Sequence, residues 1–254
     1  MNLEKITLTF LGTGNAFSDQ GRYNTSIYVE WILNQSILID CSPITVCHIK
    51  KMGISLNELK YVFISHLHGD HFLGLPLLLL EYSFRKRGED NPLVIIGPSD
   101  TKETIETIFN LVFPNTKLPK LEYIVAKDKQ EDNCGEISFK TFQMAHTGVK
   151  EAFGYRIKIG DKIIGYSGDT GPCDNIFNIS EGTDLFILEC DTFETQTPYH
   201  MNYKRIEKDL PRYKSKKIIL IHLGIEMLAA QTAGMVQSTK NLLLAKDMWQ
   251  YLLD

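Results

Sequence analysis

The chain has 254 residues, 43% of them hydrophobic, enough to bury a large core in a single domain spanning residues 1–254. Its 27 Lys and Arg against 31 Asp and Glu give a net charge of −4, which excludes the broad positive field of a general nucleic-acid binder. Five scattered cysteines, at 41, 47, 134, 173 and 190, exclude a disulfide framework and fit a reducing cytoplasm, and no apolar run reaches the roughly 20 residues of a membrane helix.

No apolar signal core precedes Leu3-Glu4-Lys5, so secretion is not expected. Ile6-Thr7-Leu8-Thr9-Phe10-Leu11 alternates apolar and polar residues, predicting a strand that runs into a tight glycine turn at Gly12-Thr13-Gly14-Asn15. This is no dinucleotide fingerprint: the third glycine is missing, and Arg22-Tyr23-Asn24-Thr25-Ser26 leads to a second strand, Ile27-Tyr28-Val29-Glu30, with no helix between. Residues 31–40 read as strand, turn, strand. Asp40-Cys41-Ser42-Pro43 then opens a helix carrying Val46 and Ile49, Asp and Ser both being good helix caps. His48 reads as a helix-face residue with no catalytic role.

Tyr61-Val62-Phe63-Ile64 is an apolar strand, and directly behind it stands Ser65-His66-Leu67-His68-Gly69-Asp70-His71. His66 and His68, two apart at a strand end, can aim at one ion, and a chain reversal at Gly69 lets Asp70 and His71 face a second. Imidazole nitrogen and carboxylate oxygen suit zinc, and the same donors accept manganese or iron. Phe72 to Leu80 predicts a buried helix ending in Glu81 and the solvated basic triplet Arg85-Lys86-Arg87. Residues 91–97 follow as a strand and 99–113 as a helix.

Further ligand types then arrive at later strand ends. His146 follows the alternating stretch 137–144, Asp169 follows the strand 162–165 within Tyr166-Ser167-Gly168-Asp169-Thr170, and His222 closes Lys217-Ile218-Ile219-Leu220-Ile221. Strand-end loops on a rigid sheet are the usual means of converging distant side chains. The strand Leu185-Phe186-Ile187-Leu188 leads to Glu189-Cys190-Asp191 and a polar loop containing His200. Cys41 and Cys190 read as buried free thiols. The basic residues Lys204, Arg205, Lys208, Arg212, Lys214, Lys216 and Lys217 read as a solvated helix surface.

Carrying His-x-His-x-Asp-His at 66–71 and then His146, Ser167-Gly168-Asp169-Thr170 and His222 in order, the chain resembles the metallo-β-lactamase-fold hydrolases over nearly its whole length. Within them it resembles the branch that contains ribonuclease Z and related phosphodiesterases. The resemblance implies an α/β (α+β) four-layer αββα sandwich, with two similar halves facing across the site. It implies two zinc ions, one held by His66, His68 and His146, the other by Asp70, His71 and His222, with Asp169 as the bridge. It also implies that Asp40 supports the metal loop, that Arg22 and Asn24 lie at the site, and that Glu189 holds His200 as proton donor to the leaving group. A hydroxide between the two cations, oriented by Asp70, then attacks phosphorus or a carbonyl carbon.

One departure bears on the substrate. Bacterial-type ribonuclease Z carries a long arm for gripping tRNA between its Gly-Tyr strand and the Ser-Gly-Asp-Thr loop, whereas here Gly154 to Ile159 passes through Gly160-Asp161 straight into Lys162. That counts against tRNA 3′-end processing and favours a small phosphodiester, such as a cyclic nucleotide or a short oligonucleotide. A homodimer is common among similar proteins. The alternatives are a carboxylic ester, lactone or thioester hydrolase at the same site and, from another class, a non-catalytic nucleic-acid-binding or scaffold protein. The complete ligand set argues against the last.

Overall fold

The computed structural model describes residues 5–32, 35–85, 92–236 and 238–253. In chain order the elements are β1 (Ile6–Gly12), β2 (Ser26–Ile32), β3 (Gln35–Ile39), α1 (Thr45–Lys51), β4 (Leu59–Phe63), α2 (Gly69–Phe72), α3 (Leu75–Phe84), β5 (Leu93–Gly97), α4 (Thr101–Val112) and β6 (Leu121–Val125). They continue as β7 (Glu131–Cys134), β8 (Ile137–Gln143), β9 (Phe153–Ile159), β10 (Lys162–Tyr166), α5 (Asn175–Ser180), β11 (Leu185–Glu189), α6 (Tyr203–Asp209), β12 (Ile218–Ile221), α7 (Ile225–Thr232), β13 (Leu242–Leu244) and β14 (Trp249–Leu253).

Two seven-stranded sheets form among the described residues, ordered β14-β1-β2-β3-β4-β5-β6 and β13-β12-β11-β10-β9-β8-β7. In the first, β1, β2 and β3 pair antiparallel and β3 to β6 parallel. In the second, β7 to β10 pair antiparallel and β10 to β13 parallel. The two halves of the chain therefore repeat one scheme.

Side-chain alternation explains the layers. The period of two sends Tyr61 and Phe63 of β4 to one face and Val62 to the other. The first pair joins the core between the sheets, where Phe63 meets Phe139 of β8 edge-on with ring centroids 5.2 Å apart. Val62 packs outward beneath Leu75, Leu78, Ile105 and Phe109 of the helices. On the second sheet Leu185 and Ile187 face inward, while Phe186 and Leu188 face Ile176, Ile179, Ile206 and Met227. Each fully buried Phe, Leu or Ile contributes about 1.5–3 kcal/mol, so both faces of both sheets are driven to be covered. The order of layers is helix, sheet, sheet, helix.

Several elements differ from the sequence reading. α1 begins at Thr45, and its N-cap is Ile44, whose aliphatic side chain cannot cap; the Asp40 carboxylate is engaged instead with His71 Nδ1. Gly69 makes no reversal and instead begins the short helix α2, whose first turn carries Asp70 and His71. The segment after β1 is no tight turn either, since Gly14 bridges to both Asn24 and Leu223. Trp31 continues β2 instead of starting a new strand. Leu77 and Phe84 of α3 are exposed, so this helix is covered on one side. Lys86, Arg87 and Asn91 lie outside the described residues. The hairpin expected at Gly160-Asp161 is present, with Ile159 paired directly to Lys162.

His48 is buried on α1 against the Tyr23 ring, centroids 4.0 Å apart. Much of the late basic cluster is neutralised at the surface. Lys204 pairs with Glu207, Arg205 and Arg212 with Asp209, Lys214 with Glu181, and Lys216 with Asp184. No described helix is long and apolar enough to cross a membrane.

Candidate metal centre

β8 and β10 both run antiparallel to β9 and so point the same way, and β10, β11 and β12 are mutually parallel. Their C-terminal ends therefore share one edge of the second sheet. There His146, Asp169, Glu189 and His222 stand at or just beyond the last strand residues. The equivalent ends of β3 and β4 deliver Asp40 and the 65–71 loop from the first sheet. The edges are joined by a backbone hydrogen bond from Phe153 N–H to the Ser65 carbonyl. Two local backbone features aim the side chains. Gly168 has φ +58°, and a Cβ there would lie 2.8 Å from the Phe153 carbonyl oxygen, so only glycine lets Asp169 turn inward. Asp40 and His222 adopt left-handed φ of +55° and +56°, a costly conformation that clusters at functional sites.

Two groups of donors result. His66 Nε2 and His146 Nε2 lie 3.1 and 3.0 Å from His68 Nδ1. His71 Nε2 lies 3.1 Å from Asp70 Oδ2 and 3.4 Å from Asp169 Oδ1, and His222 Nε2 lies 3.2 Å from Asp169 Oδ2 and 3.6 Å from Asp70 Oδ2. Asp169 Oδ2 also reaches within 3.8 Å of His66 Nε2, so its carboxylate stands between the groups. The seven residues expected as ligands are thus brought together.

The donor set fits divalent cations. Asp70 Oδ2, His71 Nε2 and His222 Nε2 are buried without a hydrogen-bond partner, a costly condition unless they face a cation. The three nitrogens of the first group stand close to the spacing of imidazoles arranged tetrahedrally about zinc at ~2.0–2.1 Å. Electrostatics agree. Burial drives the His66 imidazole well below its usual range, and the neighbouring His71 charge adds to this, so His66 is neutral as a ligand must be. At His71 burial opposes protonation, yet Asp169, Asp70 and Asp40 overcome it and hold the ring protonated well above its usual range. Burial likewise opposes ionisation of Asp70, but His71 and His222 keep it below the carboxylate range.

A second constellation adjoins the first. His200 Nδ1 donates to Glu189 Oε1 at 2.9 Å, and the same oxygen accepts from Thr170 N–H at 2.9 Å. The His200 ring stacks on His222 with centroids 5.2 Å apart, and its side chain is 23% exposed. Burial lowers its affinity for a proton, but the Glu189 hydrogen bond and charge prevail and push it up to about 9. The loop carrying it is seated against Gly171, where a Cβ would stand 1.9 Å from the Pro198 carbonyl oxygen. Gly171→Ala is accordingly expected to shift this loop, with the Tyr199 carbonyl that His146 Nδ1 contacts, and to lower kcat by about 10²-fold. Steady-state kinetics beside a thermal melt checks this, because a fall in stability alone would leave kcat intact at low temperature.

Arg22 and Asn24 are used differently from the expectation. Arg22 Nη1 donates to Thr13 Oγ1 at 2.7 Å and to the Ala245 carbonyl at 2.9 Å, and Asn24 Nδ2 donates to the Asn15 carbonyl at 2.7 Å. Both tie down the loop after β1. Sequence reasoning also passed over Tyr166, whose hydroxyl donates to Asp40 Oδ2 at 2.5 Å, since nothing local marks a strand tyrosine for such a role.

Residues 6–247 match the family described as Anti-Pycsar protein Apyc1. The chain belongs to the Apyc1 family. This Apyc1-family chain is also 30% identical to Ribonuclease Z of Methanothermobacter thermautotrophicus over 269 aligned positions, covering 86% of the chain and 87% of that protein. Its fold matches the metallo-β-lactamase fold protein YhfI of Bacillus subtilis with a TM-score of 0.79 at 20% identity, over 98% of this chain and 100% of the other. Human tRNase Z, short form, matches with a TM-score of 0.79 at 22% identity, over 98% and 99%. The Apyc1-family chain is a ribonuclease Z-like, metal-dependent hydrolase of the metallo-β-lactamase fold.

Proposed function

We propose that this Apyc1-family hydrolase cleaves small phosphodiesters, a cyclic nucleotide or a short oligonucleotide, with two zinc ions, in the cytoplasm and as a homodimer. The observation that carries the substrate reading is the β9–β10 hairpin. Ile159 pairs with Lys162 across Gly160-Asp161, so this connection is too short to reach out and grip a tRNA body. The surface ion pairs of the 204–217 segment support the same reading, because a long polyanion is held by unpaired Lys and Arg. Free thiols at all five cysteines accompany the cytoplasmic assignment.

His66, His68 and His146 would hold one ion and Asp70, His71 and His222 the other, with Asp169 between them. Divalent cations held there would lower the pKa of water toward neutrality and neutralise charge developing at phosphorus. Asp70 orients the attacking water by accepting one of its protons in a hydrogen bond. His200 gives its Nε2 proton to the departing oxygen, while Glu189 at Nδ1 fixes the ring and favours the imidazolium.

The test is elemental analysis joined to a substrate panel. About two zinc ions per chain are expected, with turnover of bis-p-nitrophenyl phosphate exceeding that of a p-nitrophenyl ester and a lactone. Chelation should remove the activity and zinc restore it, and cyclic nucleotides are the next substrates. Turnover of the ester or lactone alone transfers the reading to a carboxylic ester hydrolase. A chain without tightly bound metal ends the two-metal reading.

A further inference from the structure

A neutral imidazole has one N–H and one lone pair, and a metal takes the lone pair, so the tautomer of a ligand histidine is set when its other nitrogen donates to an acceptor. His71 Nδ1 lies 2.7 Å from Asp40 Oδ2. The carboxylate can only accept, so the proton sits on Nδ1 and Nε2 faces Asp70 and Asp169. His66 has no carboxylate at Nδ1. It has Ser65 Oγ at 3.0 Å, and a hydroxyl alone decides nothing because it both donates and accepts.

The ambiguity is removed one bond further on. Ser65 Oγ also lies 2.8 Å from Asp40 Oδ2, and its single proton is committed to that carboxylate. Its lone pair then accepts from His66 Nδ1–H, which leaves His66 Nε2 bare toward His68 and His146. Asp40 is fully buried and is itself held by four donors, with Ser65 N–H at 2.8 Å on Oδ1 and Ser65 Oγ, His71 Nδ1 and the Tyr166 hydroxyl on Oδ2. Tyr166 comes from the opposite sheet, so the carboxylate is fixed from both sides of the site.

We propose that Ser65 is a positioning residue that carries the influence of Asp40 to the His66–His68–His146 group, so that one carboxylate sets the tautomer of a histidine in each group. The proposal rests on the two-metal reading and extends the role of Asp40 beyond support of the loop. Other ligands supply the contrast. His146 has its own acceptor in the Tyr199 carbonyl, whereas His222 Nδ1 has none.

The experiment compares wild type, Ser65→Ala and Asp40→Asn by zinc titration of the metal-free chains against a chromophoric chelator. It is joined to ¹⁵N imidazole spectra of the zinc-loaded wild type, which need no variant. Two zinc ions are expected in the wild type, with His66 and His71 both protonated on Nδ1 and metal-bound through Nε2. Ser65→Ala is expected to weaken one zinc site by about 10–100-fold and leave the other near its original affinity, and Asp40→Asn to weaken both. Equal weakening of both sites in Ser65→Ala, wild-type affinity at both, or a His66 ring protonated on Nε2 overturns the relay while leaving two metals in place. A wild type that binds no zinc removes the two-metal reading and the relay with it.

Discussion

Asp70→Ala is expected to lower kcat on bis-p-nitrophenyl phosphate by about 10³-fold or more. The carboxylate is the one anionic donor of the second group that comes from the 65–71 loop, 3.1 Å from His71 Nε2 and 3.6 Å from His222 Nε2. Its removal takes away both a proposed ligand and the acceptor proposed to orient the attacking water. Cations at such sites supply several kcal/mol of transition-state stabilisation, and each 1.36 kcal/mol is a decade in rate. The measurement pairs kinetics with metal content, since loss of zinc and loss of orientation are then seen separately. Full activity with metal bound in Asp70→Ala would falsify the proposed mechanism.

His200→Ala has a more selective signature. Loss of a general acid costs about 10²–10⁴-fold when the leaving group is an alkoxide, because an alkoxide is too basic to depart without a proton. p-Nitrophenolate departs unaided, so the variant should retain far more activity on bis-p-nitrophenyl phosphate than on a cyclic nucleotide. Glu189→Gln should show the same split more weakly, since the 2.9 Å bond to Nδ1 persists with less charge behind it. A uniform loss across both substrates would instead assign His200 to binding or to metal retention.

The convergence of the seven candidate ligands was legible because each is a metal-binding residue type placed where an apolar strand ends, and strand ends on one sheet edge converge whatever the loops do. His146, Asp169 and His222 are separated by tens of residues, yet each could be found from its own strand. Asp40 was harder. Asp and Ser before a helix look like a cap, and only the tertiary fold shows this carboxylate bonded to Ser65, His71 and Tyr166. The partners of Arg22 were equally illegible, because a guanidinium near a glycine loop says nothing of whether it meets a ligand or a carbonyl such as that of Ala245. The four strands β6, β7, β13 and β14 went unread for a common reason. Each is short, they lie on or near the sheet margins, and Glu-Asp-Asn-Cys of β7 has no apolar alternation to mark it. Their pairing is imposed by neighbours already in place.

The division of the site between two repeated sheets also sets when it can exist. His66, His68, Asp70 and His71 belong to the first half of the chain, and His146, Asp169 and His222 to the second, so each donor group draws from both. A nascent chain emerging from the ribosome with only β1 to β6 in place has two donors for each group and can close neither. An ion held as proposed would act as a cross-link, clamping His68 to His146 across 78 positions of sequence and shutting a large loop whose closure entropy the finished interface has already met. Hydrolytic competence is thereby tied to completion of folding: half-made chains carry the signature motif but no working centre.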